Sequence, residues 1–299
     1  MTTLKNKIDF ALVFTARNAN PNGDPLDGNR PRTTYQGFGE VSDVCLKRKI
    51  RNRLLDEGYP IFVQSDDRRA EGDSHRSLKD RADSNPALSD CLKQIKAGKQ
   101  TREDYAKAAC ESWFDVRAFG QVFAFKSGKK AKDREEGADA VSIGIRGPVS
   151  IQPAFSLAPV NVISTQITKS VNLETQSDPD KKAADTMGMK HRVDFGAYVT
   201  YGSINVQAAG KTGFSEEDAE ALKEALRTLF RNDATSARPD GSMEVVAVVW
   251  WKHSCPNGDL SSAKVHRSLT VDCDGTDVSV SVKKDGLPSV LEVQVIPGE

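Results

Sequence analysis

The fold of this chain is decided by one stretch, Gly37-Phe38-Gly39-Glu40-Val41-Ser42-Asp43-Val44-Cys45-Leu46-Lys47-Arg48-Lys49-Ile50-Arg51-Asn52-Arg53. Its two glycines predict a turn. Leu46, Ile50 and Leu54 then recur every four residues, which predicts a helix with one buried stripe. Lys47 and Arg51 lie one turn apart beside that stripe. A loop that leads into a helix N-terminus and a row of cations suits a phosphate backbone, although a lone basic helix is more often only a solvated amphipathic helix.

The composition limits what kind of nucleic-acid binder this chain can be. It has 299 residues, of which 38% are hydrophobic, enough for the core of one elaborated domain. Lys and Arg together number 42, as do Asp and Glu, so the net charge is zero. A protein that coats nucleic acid non-specifically is usually basic overall. Neutrality therefore argues against a general binder and permits a basic groove confined to one face.

The cysteines indicate an intracellular protein. Cys45, Cys91, Cys110, Cys255 and Cys273 form no CxxC pair and are odd in number, which favours reduced thiols over disulfides or a zinc site. The first residues do not resemble a signal peptide, and no apolar run is long enough for a membrane span. We expect a cytoplasmic protein with no membrane partner.

The N-terminal half alternates core segments with long polar ones. Residues 8–17 predict a central strand buried on both faces, followed by a long loop of turn-forming residues. Residues 64–112 are highly charged and predict an insertion with helices at 87–97 and 102–111. Residues 113–125 predict a further core strand.

The C-terminal half supplies the remaining elements. Residues 141–152 predict a pair of strands or one bent strand, residues 153–190 an extended β excursion, and residues 193–206 a returning strand. A capping box at Ser215 predicts the start of a second amphipathic helix, and residues 244–251 a buried strand. Further β runs are predicted at residues 265–271, 278–282 and 290–295.

Without the insertions, the order of elements is βαββαβ. This order predicts an α+β fold with an RRM-like (ferredoxin-like) core, in which residues 1–299 form a single domain. The motif Pro-Asn-Gly-Asp follows the first strand at residues 21–24 and recurs after Trp250-Trp251 at residues 256–259. The repeat either reflects a core made of two halves or is simply a good turn.

Catalytic motifs are missing from the sequence. The four histidines have no metal-binding spacing, and there is neither a phosphate-binding GxxxxGK[ST] loop nor a GxSxG nucleophile elbow. Asp24 and Asp27 in the first loop are candidates for metal-assisted phosphodiester cleavage, but such residues are more often turn formers. We therefore expect no cofactor and no metal.

Positive side chains recur instead at the borders of the predicted elements. Each alone is more often a solvated charge, but their recurrence favours single-stranded RNA that lies across an RRM-like sheet and contacts its loops. The candidate RNA-binding residues are Arg30, Arg32, Ser42, Lys47, Arg48, Arg51, Arg146, Lys169, Lys190, His191 and Arg192.

Five motifs, taken in order, resemble those of one family: Val13-Phe14-Thr15-Ala16-Arg17-Asn18-Ala19-Asn20-Pro21-Asn22-Gly23-Asp24-Pro25, Ser42-Asp43-Val44-Cys45-Leu46-Lys47-Arg48-Lys49-Ile50-Arg51, Phe114-Asp115-Val116-Arg117-Ala118-Phe119-Gly120, Gly147-Pro148-Val149-Ser150 and Lys190-His191-Arg192-Val193-Asp194-Phe195-Gly196-Ala197-Tyr198. Together they are similar to the backbone subunit of CRISPR Cascade complexes, the Cas-seven family, in its Csd branch of type I-C. The resemblance covers residues 8–206 well.

The resemblance implies an RRM-like palm, a helical finger-like insertion at residues 64–112 and an extended β-hairpin thumb at residues 153–190. Copies of the chain would form a helical filament along the CRISPR guide RNA, beside other Cascade subunits, and present the guide for pairing with target DNA in antiviral defence. The subunit itself would carry out no chemistry.

The resemblance also assigns residues to RNA. Ser42, Lys47 and Arg51 match positions that hold RNA phosphates, in agreement with the basic helix. The first motif adds three RNA-binding candidates, Arg17, Asn18 and Asn20.

Two alternatives stay open. Related backbone subunits of type III complexes use a first-loop aspartate to cut target RNA, so this chain is alternatively a metal-dependent RNA endonuclease that uses Asp24 or Asp27. Net neutrality also allows a structural oligomer that binds no nucleic acid.

Overall fold

Strand β1 (Ile8–Ala19) lies inside the main sheet of the computed structural model, which describes residues 2–69, 71–125, 141–169 and 186–299. The other described strands are β2 Gly23–Asp24, β3 Arg30–Pro31, β4 Phe38–Val41, β5 Gly120–Phe125, β6 Val141–Arg146, β7 Val149–Ile151, β8 Ala154–Pro159, β9 Val162–Lys169, β10 Thr186–Ile204, β11 Met243–Lys252, β12 Leu269–Asp274, β13 Asp277–Val282 and β14 Glu292–Pro297. The described helices are α1 Asp43–Asp56, α2 Leu78–Ser84, α3 Pro86–Lys96, α4 Arg102–Ser112, α5 Phe114–Phe119, α6 Val206–Thr212, α7 Glu216–Arg227 and α8 Ser262–His266.

The main sheet has the strand order β14-β11-β1-β10-β8-β4, and β7 and β9 also pair with β10. All of these pairs are antiparallel. β1 pairs with β10 from Ile8 opposite Ile204 to Ala19 opposite Val193, and its other edge pairs with β11. The prediction of a central buried strand at residues 8–17 is therefore confirmed.

One face of the sheet is covered by the predicted amphipathic helices. Phe10 and Phe14 of β1 lie in one buried cluster with Leu46, Ile50 and Leu54 of α1, each of which is at most 1% exposed. Burial of such side chains stabilises the fold by about 1.5–3 kcal/mol each. The spacing of four residues therefore identified the buried stripe of α1 correctly.

Helix α7 packs beside α1 and begins as predicted. The Asp218 N–H donates to Oγ of Ser215 at 3.1 Å, and the Ser215 N–H donates to Oδ2 of Asp218 at 3.0 Å, which completes a capping box. Leu222 and Leu226 of α7 are buried in the same cluster as the α1 stripe. The second amphipathic helix is therefore confirmed.

C-terminal residues cover part of the opposite face of the sheet, the face on which we expected RNA to lie. Ala11 of β1 packs with Val249 and Trp251 of β11 beneath Val265 of α8 and Leu291. The predicted strand at 265–271 is thus wrong in its first half, because Val265 inserts into this cluster from a short helix. Strand structure begins only at β12.

The prediction of a strand over residues 113–125 is half wrong, because residues 114–119 form helix α5. Phe114 and Ala118, four residues apart, enter the main core, while Val116 enters a second core on the other side. A helix buried on two sides has the same apolar run as a buried strand. Gly120, with φ of +80°, ends the helix and starts β5.

Residues 64–112, the predicted insertion, contribute to the second core together with residues that flank them in the sequence. Leu88 of α3, Tyr105 of α4 and Phe123 of β5 belong to one buried cluster. The predicted helices at 87–97 and 102–111 correspond to α3 and α4, and α2 precedes them. The division of the chain into a palm, an insertion and a thumb stays a prediction.

A long hairpin projects from the sheet. β9 pairs with the first part of β10, from Lys169 opposite Thr186 to Val162 opposite Val193, and β10 then continues unbroken into the main sheet. The part of the predicted thumb at residues 170–185 lies outside the described residues. β8, which falls inside the predicted thumb, pairs with β4 and β10 in the sheet. Among the described helices, none is long and apolar enough to cross a membrane.

Candidate nucleic-acid interface

The first loop is tied to the start of α1 by Asn22. Oδ1 of Asn22 accepts hydrogen bonds from the N–H of Ser42 at 2.9 Å and from its hydroxyl at 2.8 Å. Oγ of Ser42 accepts in turn from the N–H of Cys45 at 3.3 Å and caps the helix. Ser42, predicted to bind phosphate, therefore already has partners within the chain, and it positions the loop.

The two first-loop aspartates make turn contacts. Oδ1 of Asp24 accepts from the N–H of Leu26 at 3.1 Å and from Nη2 of Arg32 at 3.3 Å. Oδ2 of Asp27 lies 3.8 Å from Nε of Arg30, and the Asp27 side chain is exposed. Within the described ranges, no group of three or more His, Cys, Asp or Glu residues is arranged to hold a metal ion.

Lys47 and Arg51, predicted as a pair of phosphate clamps, have different surroundings. Nζ of Lys47 lies 3.0 Å from Oδ2 of Asp43, one turn earlier on α1. Nε of Arg51 donates to Oδ2 of Asp115 at 2.8 Å, and its guanidinium lies 5.1 Å from the ring centre of Phe119. The Asp115 side chain is only 1% exposed. Arg51 therefore joins α1 to α5, whereas Lys47 lies at the surface.

A cationic hollow of about 300 Å³ lies beside α1. It is lined by the cations Arg48, Lys49, Arg68 and Arg238 and by the carboxylates Asp67 and Asp233. Cations outnumber carboxylates, and such an excess of positive charge in a concave site attracts phosphate.

Two of these cations share one carboxylate. Nζ of Lys49 and Nε of Arg238 both contact Oδ2 of Asp233, so their combined charge is only half neutralised. Arg48 contacts the carbonyl oxygen of Val63 at 3.5 Å. Burial, and then repulsion by Arg51, lower the pKa of Arg48, which nevertheless remains a cation because arginine ionises far above neutral pH.

Sequence reasoning missed Lys49 and Arg238. Lys49 stood in the basic run, but it was passed over for its neighbours. Arg238 lies in a loop that no motif marked, and the fold alone brings it to α1. The N–H of Asn20 donates to the carbonyl of Ala237 at 2.9 Å, which holds that loop against the first loop.

The predicted residues of β1 and the first loop divide into accessible and buried ones. Arg17 and Asn18 are exposed, and Asn18 has φ of +50°. Asn20 is only 3% exposed, and its Nδ2 donates to the carbonyl of Asn29 at 2.7 Å. Asn20 is therefore a buried residue that holds the conformation of the first loop.

The base of the hairpin lies beside the same strand end. Ala19 stands opposite Val193 in the ladder, next to the predicted residues 190–192. Lys190 is exposed, while Nδ1 of His191 lies 2.8 Å from Oγ of Ser164. Arg192 is half-buried. The fold thus brings the first loop, the start of α1 and the hairpin base into one region.

Two predicted residues lie apart from that region. Arg146 is exposed at the end of β6, opposite Gly120. The backbone of Lys169 lies in β9 at the far end of the described hairpin, and its side chain lies outside the described part of the structure. A role in RNA binding stays a prediction for both.

Comparison with known proteins identifies the family. The model of the family CRISPR-associated protein Cas7 matches residues 6–286. A curated relative, CRISPR-associated protein Cas7 of Haloferax volcanii, is 31% identical over 250 residues, which are 79% of this chain and 67% of that protein. This chain therefore belongs to the Cas7 family, and the family predicted from the motifs is confirmed.

Two solved structures are also similar. A chain of a "CRISPR RNA-guided surveillance complex, pre-nicking" is 16% identical, with a TM-score of 0.44, over 90% of this chain and 84% of that chain. A chain of a "CRISPR RNA-guided surveillance complex" is 15% identical, with a TM-score of 0.42, over 90% and 77%.

Proposed function

We propose that this chain is the CRISPR RNA-binding backbone subunit of an RNA-guided surveillance complex. Copies of it assemble along the guide RNA, next to other subunits, and hold the guide so that its bases pair with target DNA. Membership of the Cas7 family supports this role. The observation that carries the proposal further is the meeting of the first loop, the start of α1 and the hairpin base in one region.

The proposed architecture is an RRM-like palm with a finger and a thumb. Its support is the strand order β11-β1-β10-β7, in which α1 follows β1 and α7 follows β10. That is the order of a βαββαβ unit. The finger is residues 64–112 and the thumb residues 153–190, and the assignment to the type I-C, Csd branch rests on the motifs.

In this proposal some side chains contact the RNA backbone directly, and buried side chains hold them in position. Lys47 and Arg48 contact phosphates directly, together with exposed cations of the first loop and the hairpin base. Ser42, Arg51 and Asn20 position these groups through the contacts described above. Gripping of this kind is independent of sequence, so the bases stay free to pair.

The chain performs no cleavage in this proposal. Asp24 already accepts a hydrogen bond from Arg32, and Asp27 lies by Arg30. The alternative, a metal-dependent RNA endonuclease, predicts divalent-dependent cleavage of RNA complementary to the guide, lost in Asp24→Ala or Asp27→Ala. Its appearance in the purified complex would replace the proposal.

The decisive experiment is to purify the chain from cells that also express the accompanying subunits and a CRISPR array, and to sequence the RNA it carries. We expect a discrete RNA of guide length. Complexes free of RNA would overturn the proposal and favour a structural oligomer.

A pair of variants tests the location of the grip. Lys47→Glu should reduce the RNA that is retained. Lys93→Glu is the matched control, because Nζ of Lys93 lies 2.9 Å from Asp90 within α3, in the insertion. Equal retention by both variants would move the grip away from α1.

A further inference from the structure

A second cavity, of about 720 Å³, opens between the C-terminal end of α1 and helix α2. Its apolar lining consists of Leu55, Tyr59, Pro60, Ile61 and Trp113, and the rest of its lining is mostly charged or polar. Cavities of about 300–1,000 Å³ hold ligands of drug size. This cavity therefore has room for a short polypeptide segment.

The three arginines of the cavity already face carboxylates. The pairs are Arg68 with Asp56 at 3.2 Å, Arg69 with Asp66 at 3.9 Å and Arg81 with Asp73 at 2.8 Å, each between a nitrogen and an oxygen atom. Neutralised guanidinium groups attract a phosphate only weakly, so these arginines do not make the cavity a site for nucleic acid.

Two further carboxylates of the cavity have no such partner. Asp67 and Glu71 are exposed, and neither makes an ion pair with a cation in the described ranges. A hydrogen bond from Ser65 lowers the pKa of Asp67, which is therefore ionised at neutral pH. The lining carries four carboxylates against three arginines, with His75 in contact with Asp73. The cavity thus favours a cationic ligand.

An arginine side chain matches both parts of the lining. Its guanidinium pairs with carboxylates in a planar fork and stacks on aromatic rings, and its aliphatic stem packs on apolar surface. Tyr59 and Trp113 supply the aromatic surface, and Asp67 and Glu71 supply the carboxylates. The cavity is larger than one such side chain, so the residues next to that arginine in a polypeptide also fit.

A short ridge separates this cavity from the cationic hollow. Asp67 and Arg68 line both, on a 3₁₀ turn at Asp66–Arg68. The hollow has an excess of cations, whereas the cavity has an excess of carboxylates. Opposite charges on the two sides of one ridge direct RNA to the hollow and a basic protein segment to the cavity.

From these observations we infer that the cavity receives an arginine-bearing segment of another protein subunit, with the guanidinium at Asp67 and Glu71 and the stem on Tyr59 and Trp113. This inference rests on the proposed function, in which the chain assembles beside other subunits. The exposed arginines predicted to be functional on this chain are assigned to RNA, so the segment belongs to a subunit of different sequence.

The first test locates the occupant of the cavity in the complex purified from cells that express all subunits and a CRISPR array. The photo-cross-linking residue p-benzoylphenylalanine replaces Ser84, which is exposed and lines the cavity, or Gln94 of α3, which is exposed outside it. We expect residue 84, but not residue 94, to cross-link to an arginine-bearing segment of a different subunit, identified by mass spectrometry.

Three results of this test would overturn the inference. They are a cross-link from residue 84 to RNA, a cross-link to another copy of this chain or to a segment without arginine, and no cross-link at all.

The second test removes the two unpaired carboxylates by combining Asp67→Asn with Glu71→Gln. The cross-linked subunit is titrated onto complexes that lack it. We expect its affinity to fall about tenfold, the loss of a charged contact. RNA retention should not fall, because the change removes negative charge beside the cationic hollow. Unfolding would reduce both, so an unchanged affinity for the subunit or a loss of RNA would count against the inference.

The matched control combines Asp80→Asn with Asp90→Asn. Both carboxylates are exposed, on α2 and α3, and neither lines the cavity. This control changes the net charge equally and should keep both the subunit and the RNA. An equal loss of the subunit in the control would place the contact outside the cavity.

The failures of the two proposals are distinguishable. If the complex carries RNA of guide length but residue 84 contacts no other subunit, the docking site is wrong and the proposed function stands. If the purified chain carries neither RNA nor other subunits, the proposed function itself is wrong.

Discussion

Nε of Arg51 in α1 donates a 2.8 Å hydrogen bond to Oδ2 of Asp115 in α5. The same carboxylate accepts from the N–H groups of Phe62, at 2.7 Å, and Val63, at 3.1 Å. Asp115 thus joins the basic helix, the segment of Phe62 and Val63 and α5 at one buried point. An arginine that the sequence placed on RNA is therefore also part of the frame that holds α1.

Arg51→Ala should destabilise the protein by about 3–5 kcal/mol, because it leaves the Asp115 carboxylate buried without its cation. The measurement is chemical denaturation of the purified protein. Lys47→Ala serves as the control, since its half-buried pair with Asp43, one turn away on the same helix, contributes at most about 1 kcal/mol. Equal stabilities of the two variants would show that the Arg51–Asp115 pair does not support the fold.

Arg48→Gln should weaken RNA binding while leaving the unfolding temperature nearly unchanged. Arg48 contributes charge to the cationic hollow, and within the described ranges its hydrogen bond is a long one, 3.5 Å, to the Val63 carbonyl. Each lost phosphate contact reduces the slope of log affinity against log salt by about 0.7–1. Lys79→Gln is the control, a cation paired with Asp83 on α2. An unaltered salt slope in Arg48→Gln would remove Arg48 from the phosphate grip.

Gly120→Ala should be far more damaging than Gly98→Ala. Both glycines have positive φ, +80° and +70°. A Cβ at Gly120 would lie 2.2 Å from the Ile145 carbonyl oxygen, whereas one at Gly98 would meet nothing within 4 Å. Gly98→Ala should therefore cost only the backbone strain, about 1–2 kcal/mol. Thermal unfolding of both variants tests this, and a Gly120→Ala protein as stable as Gly98→Ala would contradict the close approach of β5 to β6.

Acidification should destabilise the fold through a buried cluster beneath the C-terminal segment. Asp9 is fully buried, and its Oδ2 lies 2.8 Å from Nε2 of His253 and 3.0 Å from Nζ of Lys7. Burial alone would raise the pKa of Asp9, but hydrogen bonds from His253, Ser262 and Lys7 together hold it below the usual value. Burial also lowers the pKa of His266, despite the nearby Asp9.

The two lowered pKa values affect stability in the same direction, because each makes the folded protein less stable as the pH falls. A histidine with a lowered pKa is protonated first in the unfolded chain, so its contribution to stability is lost as the pH falls through about 6.5. A carboxylate with a lowered pKa loses its contribution at more acidic pH, below about 3.9. Urea midpoints at pH 7.5, 5 and 3 should fall in two steps, and His266→Gln should flatten the step between pH 7.5 and 5. A flat profile in the parent protein would contradict this account.

Local patterns in the sequence predicted the local structure well. The stripe of α1 and the capping box of α7 depend on residues three or four apart, which a single sequence displays. The prediction of a strand where α5 forms was wrong. A helix that is buried on two sides lacks the polar face by which an amphipathic helix is told from a buried strand.

The carboxylates that pair with the cations of the candidate site could not be predicted from such local patterns. Asp115 is 64 residues from Arg51, and Asp233 is 184 residues from Lys49. No local spacing records such pairs, so the sequence showed which side chains were cationic but not which were already neutralised. The motif resemblance supplied the family, whereas the surroundings of each cation came only from the fold.

Strand β10 runs without interruption for 19 residues, from the projecting hairpin to the edge of the core. At about 3.3 Å per residue it is a rod of ~60 Å, hydrogen-bonded to β9 at one end and to β1 at the other. Tension applied to the hairpin by a neighbouring molecule would therefore pass along one covalent segment into the centre of the domain. It would enter beside Ala19, so mechanical strain between subunits would be felt first at the loop proposed to hold RNA.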